Sequence, residues 1–377
     1  MNRVVARDLH GEAAATGGAS GYLTIDLGAL ARNYERLAAE VAPARAAAVV
    51  KADAYGLGAR QVSTKLYELG CRHFFVALFT EALNLRPLLP PDAAVFVLNG
   101  LQPGNEIVCA RESIVPVINS LEQWHAWSAT ARAVGHRLPA VLQFDTGMSR
   151  LGVATEERSA LAALVKADGG VDVLYLMSHL ASADEPVSIQ NADQVAEMQR
   201  VAAEFPGIDV CFANSGGIFL GRNYHGALVR PGIALYGGAP VTGQPNPMEP
   251  VVSLDVAVVQ TRTVPAGARV GYSATHVTTR PTRLATIAAG YADGLPRSLS
   301  GRGAAYCDGV RLPIVGRVSM DSIIIDISAL PEGRLGLGSR VEIIGPNQSL
   351  EDLARDAGTI SYEILTSIGH RYQRRYC

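Results

Sequence analysis

Lysine is almost missing from this sequence, since three of its 33 basic residues are lysine and the remaining 30 are arginine. Lys65 and Lys166 lie in segments with helical periodicity, where a charge on the solvent-facing side is the ordinary interpretation. Lys51 differs because it directly follows residues 47–50, a short apolar run typical of a strand buried on both faces. An amine at a strand end can act as a nucleophile or form a Schiff base, which arginine cannot. The alternative is a structural lysine whose stem packs on apolar surface while its ammonium stays in water.

Other absences narrow the possible functions. No apolar run is long enough to span a bilayer. Residues 1–20 lack the continuous apolar core of a secretion signal and are expected to form a leader or an edge strand. A net charge of −2 offers no basic surface for nucleic acid or an anionic membrane. The five cysteines are scattered without metal-ligand spacing, which indicates free thiols in a reducing cytoplasm and no metal site.

Strand-like runs alternate with helical segments from Tyr22 onward, a pattern that predicts parallel βαβ units. In a chain of 377 residues, eight such runs predict an α/β fold with a (β/α)8 barrel. A doubly wound open sheet is the alternative, although no GxGxxG follows the first strand, which weakens its dinucleotide-binding version. The strand candidates are YLTID, AAAVV, HFFVAL, AVFVLNG, IVPVIN, PAVLQFD, VLYLMSHL and DVCFANS.

The pattern changes after residue 246, within the segment GQPNPMEP. Short β-rich runs broken by Gly, Pro and Asp follow, and no helical pattern occurs before SLEDLARDAG. We therefore predict three segments: a leader or edge segment at 1–20, a barrel at 21–246, and a mostly-β C-terminal domain at 247–377.

Polar side chains follow several of the predicted barrel strands. Because the active residues of a barrel gather at the carboxyl ends of its strands, we expect these side chains to meet on one rim. Each of them alone has an ordinary structural explanation, such as a surface ion pair, a core histidine or a turn. Their shared position favours a site for a phosphorylated, anionic ligand. The candidates are Lys51, Tyr55, Arg150, His179, Ser215, Arg230, Gly232 and Ile233.

From residue 21 to residue 376 the sequence resembles the alanine racemases, a family of pyridoxal 5′-phosphate (PLP) enzymes. The resemblance implies a barrel followed by a β domain. It also implies a cytoplasmic homodimer in which each active site takes residues from both subunits. The motifs that carry the resemblance are VVKADAYGLGA, FDTGMSRLG, SHLASADE, NSGG, VRPGIALYG, VGYSATH, GYADG, GRVSMD and ISYEIL.

The resemblance implies a role for each matching residue around the cofactor. Lys51 would form the covalent bond to PLP, Arg230 would face the nitrogen of the cofactor ring, and His179 would connect to the ring from behind. The phosphate would be held by Tyr55, Ser215, Gly232, Ile233 and Tyr362.

It also implies how a substrate would be bound and turned over. Arg150 would engage the substrate carboxylate. Tyr272 of the partner subunit would be the second base opposite Lys51, and Met320 and Asp321, also from the partner, would border the substrate. The implied reaction is the interconversion of L-alanine and D-alanine, with D-alanine supplied for peptidoglycan.

One departure from the family leaves the substrate open. Gln143 stands where the family commonly has a lysine, often carbamylated, so Arg150 would be oriented by a bound anion or by the Gln143 amide. A serine or broad-specificity racemase is therefore an alternative. A PLP decarboxylase is less favoured because such enzymes usually place an acidic residue where this chain has Arg230. A non-catalytic PLP carrier is disfavoured by the β domain with Tyr272.

Overall fold

The computed structural model describes residues 19–377. The predicted leader, residues 1–20, therefore lies almost wholly outside the described residues. Leu27–Glu249 forms one compact unit, and Pro250–Cys377 together with residues 19–26 forms the other. We call them the barrel unit and the β unit. The described residues contain no helix with the length and apolarity needed to cross a membrane.

The barrel unit contains a sheet in which every pairing is parallel, as the alternating pattern predicted. Most of its strands are buried along their length, because helices cover the outer face and side chains fill the interior. The (β/α)8 barrel is confirmed. In chain order its strands are Arg45–Ala46, Ala48–Val49, His73–Val76, Ala94–Val97, Val115–Ile118, Leu138–Gln143, Val171–Met177, Val210–Asn214 and Leu228–Arg230.

The first two of these segments form one strand that closes the barrel. Arg45–Ala46 pairs with Leu228–Arg230, and Ala48–Val49 pairs with His73–Val76. Ala47, between the two segments, donates its amide to the carbonyl of Val229 at 2.9 Å, so the pairing continues through the gap. Counted in this way, eight strands form the barrel.

The strand Gly21–Ile25, predicted as the first barrel strand, belongs instead to the β unit. It pairs antiparallel with Val252–Val264 and parallel with Gln373–Tyr376. The eighth barrel strand is Leu228–Arg230, which is absent from the eight strand candidates predicted from the sequence. The expected barrel start at residue 21 was wrong because a buried apolar strand reveals its burial but not its partner.

The helices of the barrel unit cover the outside of the sheet. Leu27–Val41 buries one face, and its Asn33 side chain accepts from the amide of Glu249 and donates to the carbonyl of Leu235. The helix thereby occupies the place after the eighth strand. The α-helices of this unit are Leu27–Val41, Ala59–Glu68, Phe79–Leu85, Glu106–Arg111, Leu121–Val134, Arg158–Ala167, Ile189–Glu204 and Ser215–Ile218. The short segment Lys51–Tyr55 is a turn in which residues 52–55 have positive φ angles. The 3-10 turns are Arg86–Leu88, Thr155–Glu157, Arg222–Tyr224 and Ile233–Tyr236.

The β unit is mostly β, as predicted. Its main sheet contains Gly21–Ile25, Val252–Val264, Thr282–Ile287, Ala304–Cys307, Val310–Pro313, Ile323–Asp326, Arg340–Ile344 and Gln373–Tyr376. A separate two-stranded ribbon joins Arg269–Val270 to His276–Val277. Two α-helices, Leu350–Ala357 and Ser361–Ser367, and the 3-10 turns Tyr272–Ala274, Tyr291–Asp293 and Arg297–Leu299 complete the unit. The five cysteines of the chain all lie in the described residues and are free thiols, as expected.

His73 should make the stability of the barrel depend on pH. Its ring stacks on Phe96, and burial followed by the charge of Arg45 lowers its pKa to about 4. In the unfolded chain a histidine takes up its proton near pH 6.5, so below that pH the unfolded state binds a proton that the folded state excludes. Through this residue alone, the free energy of unfolding should be about 2 kcal/mol lower at pH 5 than at pH 7.

His73→Phe keeps the aromatic contact and removes the titration. Denaturant unfolding followed by circular dichroism should therefore show a smaller loss of stability from pH 7 to pH 5 in this variant, by about 2 kcal/mol. The exposed His136 provides the control, because His136→Gln changes a ring that is in water in both states. An equal loss in His73→Phe and the wild type would contradict the assignment.

Candidate active site

One rim of the barrel collects the candidate residues of the barrel unit. They lie at the carboxyl ends of five of the eight strands. Lys51 and Tyr55 follow the first strand, Arg150 the fifth, His179 the sixth and Ser215 the seventh. Arg230 is the last residue of the eighth strand, and Gly232 and Ile233 follow it. Parallel strands that close into a barrel place all of these ends on the same side. The expected convergence is therefore present for the eight candidates in this unit.

Lys51 lies half-buried among positive charges. Burial is the largest cause of a lowered Lys51 pKa, the charge of Arg150 lowers it further, Glu81 acts in the opposite direction, and Arg230 again lowers it. The two guanidiniums are therefore close enough to the amine to repel its proton. A lysine in this setting loses its proton more easily than one in water, which favours nucleophilic or basic chemistry.

The backbone after Lys51 has an uncommon conformation. Residues 52–55, which include no glycine, all have positive φ angles between 52° and 56°. The left-handed region costs an L-residue roughly 1–2 kcal/mol. The turn is closed by hydrogen bonds from the amide of Gly56 to the carbonyl of Ala52 and from the amide of Gly58 to that of Asp53, at 2.7 and 2.9 Å. Strain of this kind is found where the surrounding structure holds a functional group in place.

Hydroxyl groups and amides converge where the first, seventh and eighth strands end. The Ser215 hydroxyl accepts from the amides of Gly232 and Ala234 at 2.9 and 3.3 Å. The Tyr55 hydroxyl lies so close to Gly232 that a methyl group on this glycine would overlap it. Tyr55 and Ser215 are both buried. Because the Ser215 hydroxyl accepts from these two amides, it keeps its own O–H to donate, and this arrangement of hydroxyls and amides around a glycine forms a cradle suited to a phosphate group.

Arg230 is a buried guanidinium bonded to neutral acceptors. It donates to the carbonyl of Cys211 at 2.7 Å, to the Cys211 sulfur at 3.1 Å and to the carbonyl of Ser178 at 2.6 Å. It is only 4% exposed. These acceptors hold its plane fixed at the end of the eighth strand. A guanidinium keeps its proton in proteins, so this group is a permanent donor within the site.

His179 lies near the same charges as Lys51. Burial is the largest cause of its lowered pKa, the charges of Arg230, Arg150 and Lys51 add to the effect, and the result is a pKa of about 3. The imidazole is therefore neutral near pH 7, with one nitrogen that donates and one that accepts.

A buried polar network holds the strand ends around His179. Gln194 donates to the His179 carbonyl at 2.8 Å and accepts from the amide of Ala181 at 2.9 Å. Its amide group also reaches the hydroxyl of Thr146, which lies 2.7 Å from that of Ser178. The sequence analysis missed this network. A glutamine within a helix gives no signal that it bonds backbone groups of other elements.

Arg150 projects from a loop organised by one carboxylate. Asp145 accepts from the amides of Gly147, Met148 and Ser149 at 2.9, 3.0 and 3.1 Å. Burial acts to raise the pKa of Asp145, but these three amides keep it below its ordinary value. Arg150 is exposed, while its charge still acts on Lys51 and His179. The guanidinium is therefore accessible to an incoming anion beside the amine.

Four candidates lie in the β unit rather than on the barrel rim. Tyr272 is 69% exposed and stands at the turn of the two-stranded ribbon. The next residue, Ser273, accepts from Arg317 at 3.0 Å, which ties the turn to the main body of the unit. Tyr362 is 41% exposed at the start of the helix Ser361–Ser367.

The other two candidates of the β unit, Met320 and Asp321, are adjacent on an exposed loop. Met320 accepts from the amide of Ala292 at 3.0 Å through its carbonyl, and its side chain is 52% exposed. Asp321 pairs with Arg371 at 2.8 Å. The same Arg371 forms a two-pronged pair with the buried Asp293 at 2.7 and 2.9 Å. Arg371 therefore fixes this loop, a role that the sequence analysis did not assign.

Two further residues on the rim were missed. Tyr236 donates to the carbonyl of Val49 at 2.8 Å, and its ring lies against Tyr55 with centroids 4.8 Å apart. Glu81 accepts from the amides of Ala52, Ala77 and Leu78. Glu81 is the third residue of the helix Phe79–Leu85, a position where glutamate commonly bonds the amide before a helix. The position in the helix could have predicted the bond to the amide of Leu78, but not the bond to Ala52, which belongs to another element.

Two protein families match the chain over almost all of the described residues. The family described as alanine racemase, N-terminal domain, matches residues 25–240. The family described as alanine racemase, C-terminal domain, matches residues 251–376. The boundary between the matches falls where the barrel unit gives way to the β unit.

Individual relatives match along nearly their full length. A protein of Rhizobium johnstonii named "Alanine racemase, catabolic" is 69% identical over 359 residues, which are 95% of each chain. A protein of the same name from Agrobacterium fabrum is 64% identical over 96% of this chain and 93% of its own. The crystal structure of alanine racemase from Bartonella henselae with covalently bound pyridoxal phosphate has a TM-score of 0.92 and 44% identity. It is matched over 95% of this chain and all of its own.

The loop that carries Arg150 should depend on Asp145. Asp145→Ala removes the acceptor of three amides, so the amides of residues 147–149 should exchange hydrogen about tenfold faster or more, measured by mass spectrometry. The free energy of unfolding should fall by about 1–3 kcal/mol. The control is Asp172→Ala, which removes an exposed ion pair with Arg137. Unchanged exchange at residues 147–149 would contradict this account of the loop.

Proposed function

The chain belongs to the alanine racemase family, and on that premise we propose that it interconverts L-alanine and D-alanine at the barrel rim. The members of this family are PLP-dependent amino-acid racemases. The observation that carries the proposal is the convergence of Lys51, two guanidiniums and the hydroxyl–amide cradle on one rim. The relatives add to it, because a solved structure at 44% identity is titled with covalently bound pyridoxal phosphate.

The rim fits the parts of PLP. The cofactor has a phosphate, which suits the cradle of hydroxyl and amide donors around Gly232, where an added methyl would overlap Tyr55. It has an aldehyde, which needs an amine of lowered pKa, and Lys51 supplies one. It has a ring nitrogen, which can accept from Arg230. We propose that the cofactor is held by Lys51, Tyr55, His179, Ser215, Arg230, Gly232, Ile233 and Tyr362.

Once the amino group of a substrate replaces the Lys51 nitrogen on the cofactor and so frees the Lys51 amine, the cofactor would withdraw electrons from the substrate's α carbon and make its proton acidic. This chain supplies the groups that move that proton. Burial and the charges of Arg150 and Arg230 favour the unprotonated Lys51 amine, which can take a proton from one face of the α carbon or return it there.

Inversion needs a second group on the opposite face. We propose that this group is Tyr272 of the partner subunit, in a homodimer with shared sites. The support for this within one chain is exposure, since Tyr272 is 69% exposed on an exposed turn and is available to a second copy. Met320 and Asp321 of the partner subunit would border the substrate in the same assembly.

Arg230 sets the electronic character of the site. Since its guanidinium stays protonated, the ring nitrogen that faces it would be left without a proton of its own. The cofactor ring would then withdraw electrons more weakly than a ring whose nitrogen faces a carboxylate. We propose that this weaker withdrawal limits side reactions such as transamination.

Arg150 would bind the substrate carboxylate beside Lys51. Gln143 is buried at the end of the strand from which the Arg150 loop departs, and it carries no amine that could be carbamylated. Because this position differs from the family pattern, a serine or broad-specificity racemase stays the second candidate.

The cellular role is a separate proposal. Enantiomers have the same free energy, so the direction of the reaction follows which product is consumed. The relatives from Rhizobium johnstonii and Agrobacterium fabrum are named catabolic, which favours use in alanine breakdown. Supply of D-alanine for peptidoglycan uses the same chemistry, and like a cytoplasmic location it stays a prediction.

A chirality-resolved assay tests the function. With PLP added, purified protein should racemise alanine from either enantiomer. It should act on serine with a kcat/KM lower by about tenfold to a hundredfold, the range that an added hydroxyl gives in a small pocket. The same samples should be analysed for keto acid and carbon dioxide. Equal rates on serine would favour the broad-specificity alternative, and decarboxylation without racemisation would contradict the proposal.

A hybrid dimer tests whether the sites are shared. Lys51→Ala and Tyr272→Phe chains carrying different tags can be co-expressed and the mixed dimer purified through both tags. If Tyr272 serves the Lys51 of its partner, one of the two sites is wild type, and the hybrid should have about half the wild-type kcat. Each parent homodimer should be nearly inactive. A hybrid no more active than its parents would show that the two residues do not serve one site across the dimer.

A further inference from the structure

We propose that Glu81 is a positioning residue for Lys51, holding the left-handed turn that follows this lysine against the end of the second barrel strand. The inference rests on the proposed function of Lys51 as the anchor of PLP. Glu81 does not belong to the set of residues expected to touch cofactor or substrate.

The turn needs a restraint because its conformation is unfavourable by itself. Residues 52–55 all have φ angles near 55°. Ala52 and Ala54 have no polar side chain that could stabilise this conformation locally, and each residue costs roughly 1–2 kcal/mol there. The bonds from the amides of Gly56 and Gly58 close the turn on itself. A contact from another element would add a restraint on the position of the turn and of the amine that precedes it.

Glu81 provides that contact at the first residue of the turn. One carboxylate oxygen accepts from the amide of Ala52 at 2.6 Å. The other accepts from the amides of Ala77 and Leu78 at 2.8 and 2.9 Å. Ala52 follows Lys51 at the end of the first barrel strand and Ala77 directly follows the second, so one carboxylate joins the ends of these two strands.

The carboxylate matters because both of its oxygens accept. A glutamine at position 81 would keep the size of the side chain but offer only one acceptor. Its NH2 group would face backbone N–H donors instead of accepting from them. Either the amide of Ala52 or the amides of Ala77 and Leu78 would then lose their acceptor. The loss should fall on Ala52, because the other two amides also mark the start of the helix Phe79–Leu85.

The charge of Glu81 also acts on Lys51. Burial, Arg150 and Arg230 all lower the pKa of Lys51, and Glu81 acts to raise it. The carboxylate therefore also lies within electrostatic reach of the amine. By charge alone, Glu81→Gln would lower the pKa of Lys51 and favour its reaction with the cofactor, so slower reloading would report the loss of positioning.

The test uses the full-length protein, stripped of PLP with hydroxylamine and then reloaded while the visible absorbance is followed. Glu81→Gln should reload about tenfold more slowly than wild type. The amides of Ala54 and Gly56, which close the turn, should exchange hydrogen about tenfold faster in Glu81→Gln. The matched control is Glu342→Gln in the β unit, where a carboxylate also accepts two backbone amides and a side-chain amide.

A second substitution separates positioning from a general loss of stability. Glycine adopts positive φ at little cost, so Ala52→Gly in the Glu81→Gln background should restore at least half of the reloading rate. It should have no such effect in the Glu342→Gln background. If Glu81→Gln does not fold, Glu81→Asp, which keeps the charge and shortens the reach, takes its place in the same comparison.

Three results would overturn the inference: reloading by the Glu81 variant within about twofold of Glu342→Gln, unchanged exchange at Ala54 and Gly56, or no rescue by Ala52→Gly.

Lys51→Ala distinguishes this failure from failure of the proposed function. If Lys51→Ala still gains the cofactor absorbance, the proposed function is wrong. If Lys51→Ala loses it while the Glu81 variant behaves as the control, only the role of Glu81 is wrong.

Discussion

The pairing of the first barrel strand with both of its neighbours is the constraint on which the site depends. Val49 donates to the carbonyl of Pro231 at 3.0 Å, and Val50 donates to that of Phe75 at 2.8 Å. These bonds close the barrel one residue before Lys51. They also bring the cradle around Gly232 next to the amine, because Pro231 and Gly232 are adjacent in the chain. Closure of the sheet and assembly of the site are therefore the same event.

The charges on the rim explain what kind of ligand it suits. Arg150 and Arg230 act on the same amine, and both also act on His179, which they help to keep neutral. Burying Arg230 is costly, and its bonds to the carbonyls of Cys211 and Ser178 offset part of that cost. Two guanidiniums, the buried Arg230 and the exposed Arg150, beside a lysine of lowered pKa favour a ligand with anionic groups. A phosphate and a carboxylate are such groups, and both fit the proposed cofactor and substrate.

The barrel could be predicted from its buried apolar runs, but which of these runs are barrel strands could not. Gly21–Ile25 has the composition of a barrel strand, and its pairing with Val252–Val264 depends on residues far away in sequence. The true eighth strand has three residues, Leu228–Arg230, too few to show a periodicity. The shift changes which strand precedes Lys51, from the second to the first, without moving the lysine from the rim.

The site could be predicted where a chemical group itself is the signal, as with a lone lysine or an arginine after a strand. It could not be predicted where a residue acts through the backbone. Glu81, Gln194 and Tyr236 hold carbonyls or amides of other elements, and such bonds leave no pattern in the sequence. The matching motifs supplied the roles proposed for residues of the β unit, which no argument from strand ends would have reached.

The scarcity of lysine makes the central claim directly measurable. Borohydride reduction of the protein with PLP, followed by proteolysis and mass spectrometry, fixes the cofactor to whichever amine holds it. There are three candidates, Lys51, Lys65 and Lys166, together with the amino terminus. We expect the reduced adduct on the peptide that contains Lys51 and on no other. An adduct on Lys65 or Lys166, or a protein that binds PLP without any reducible bond, would contradict the account.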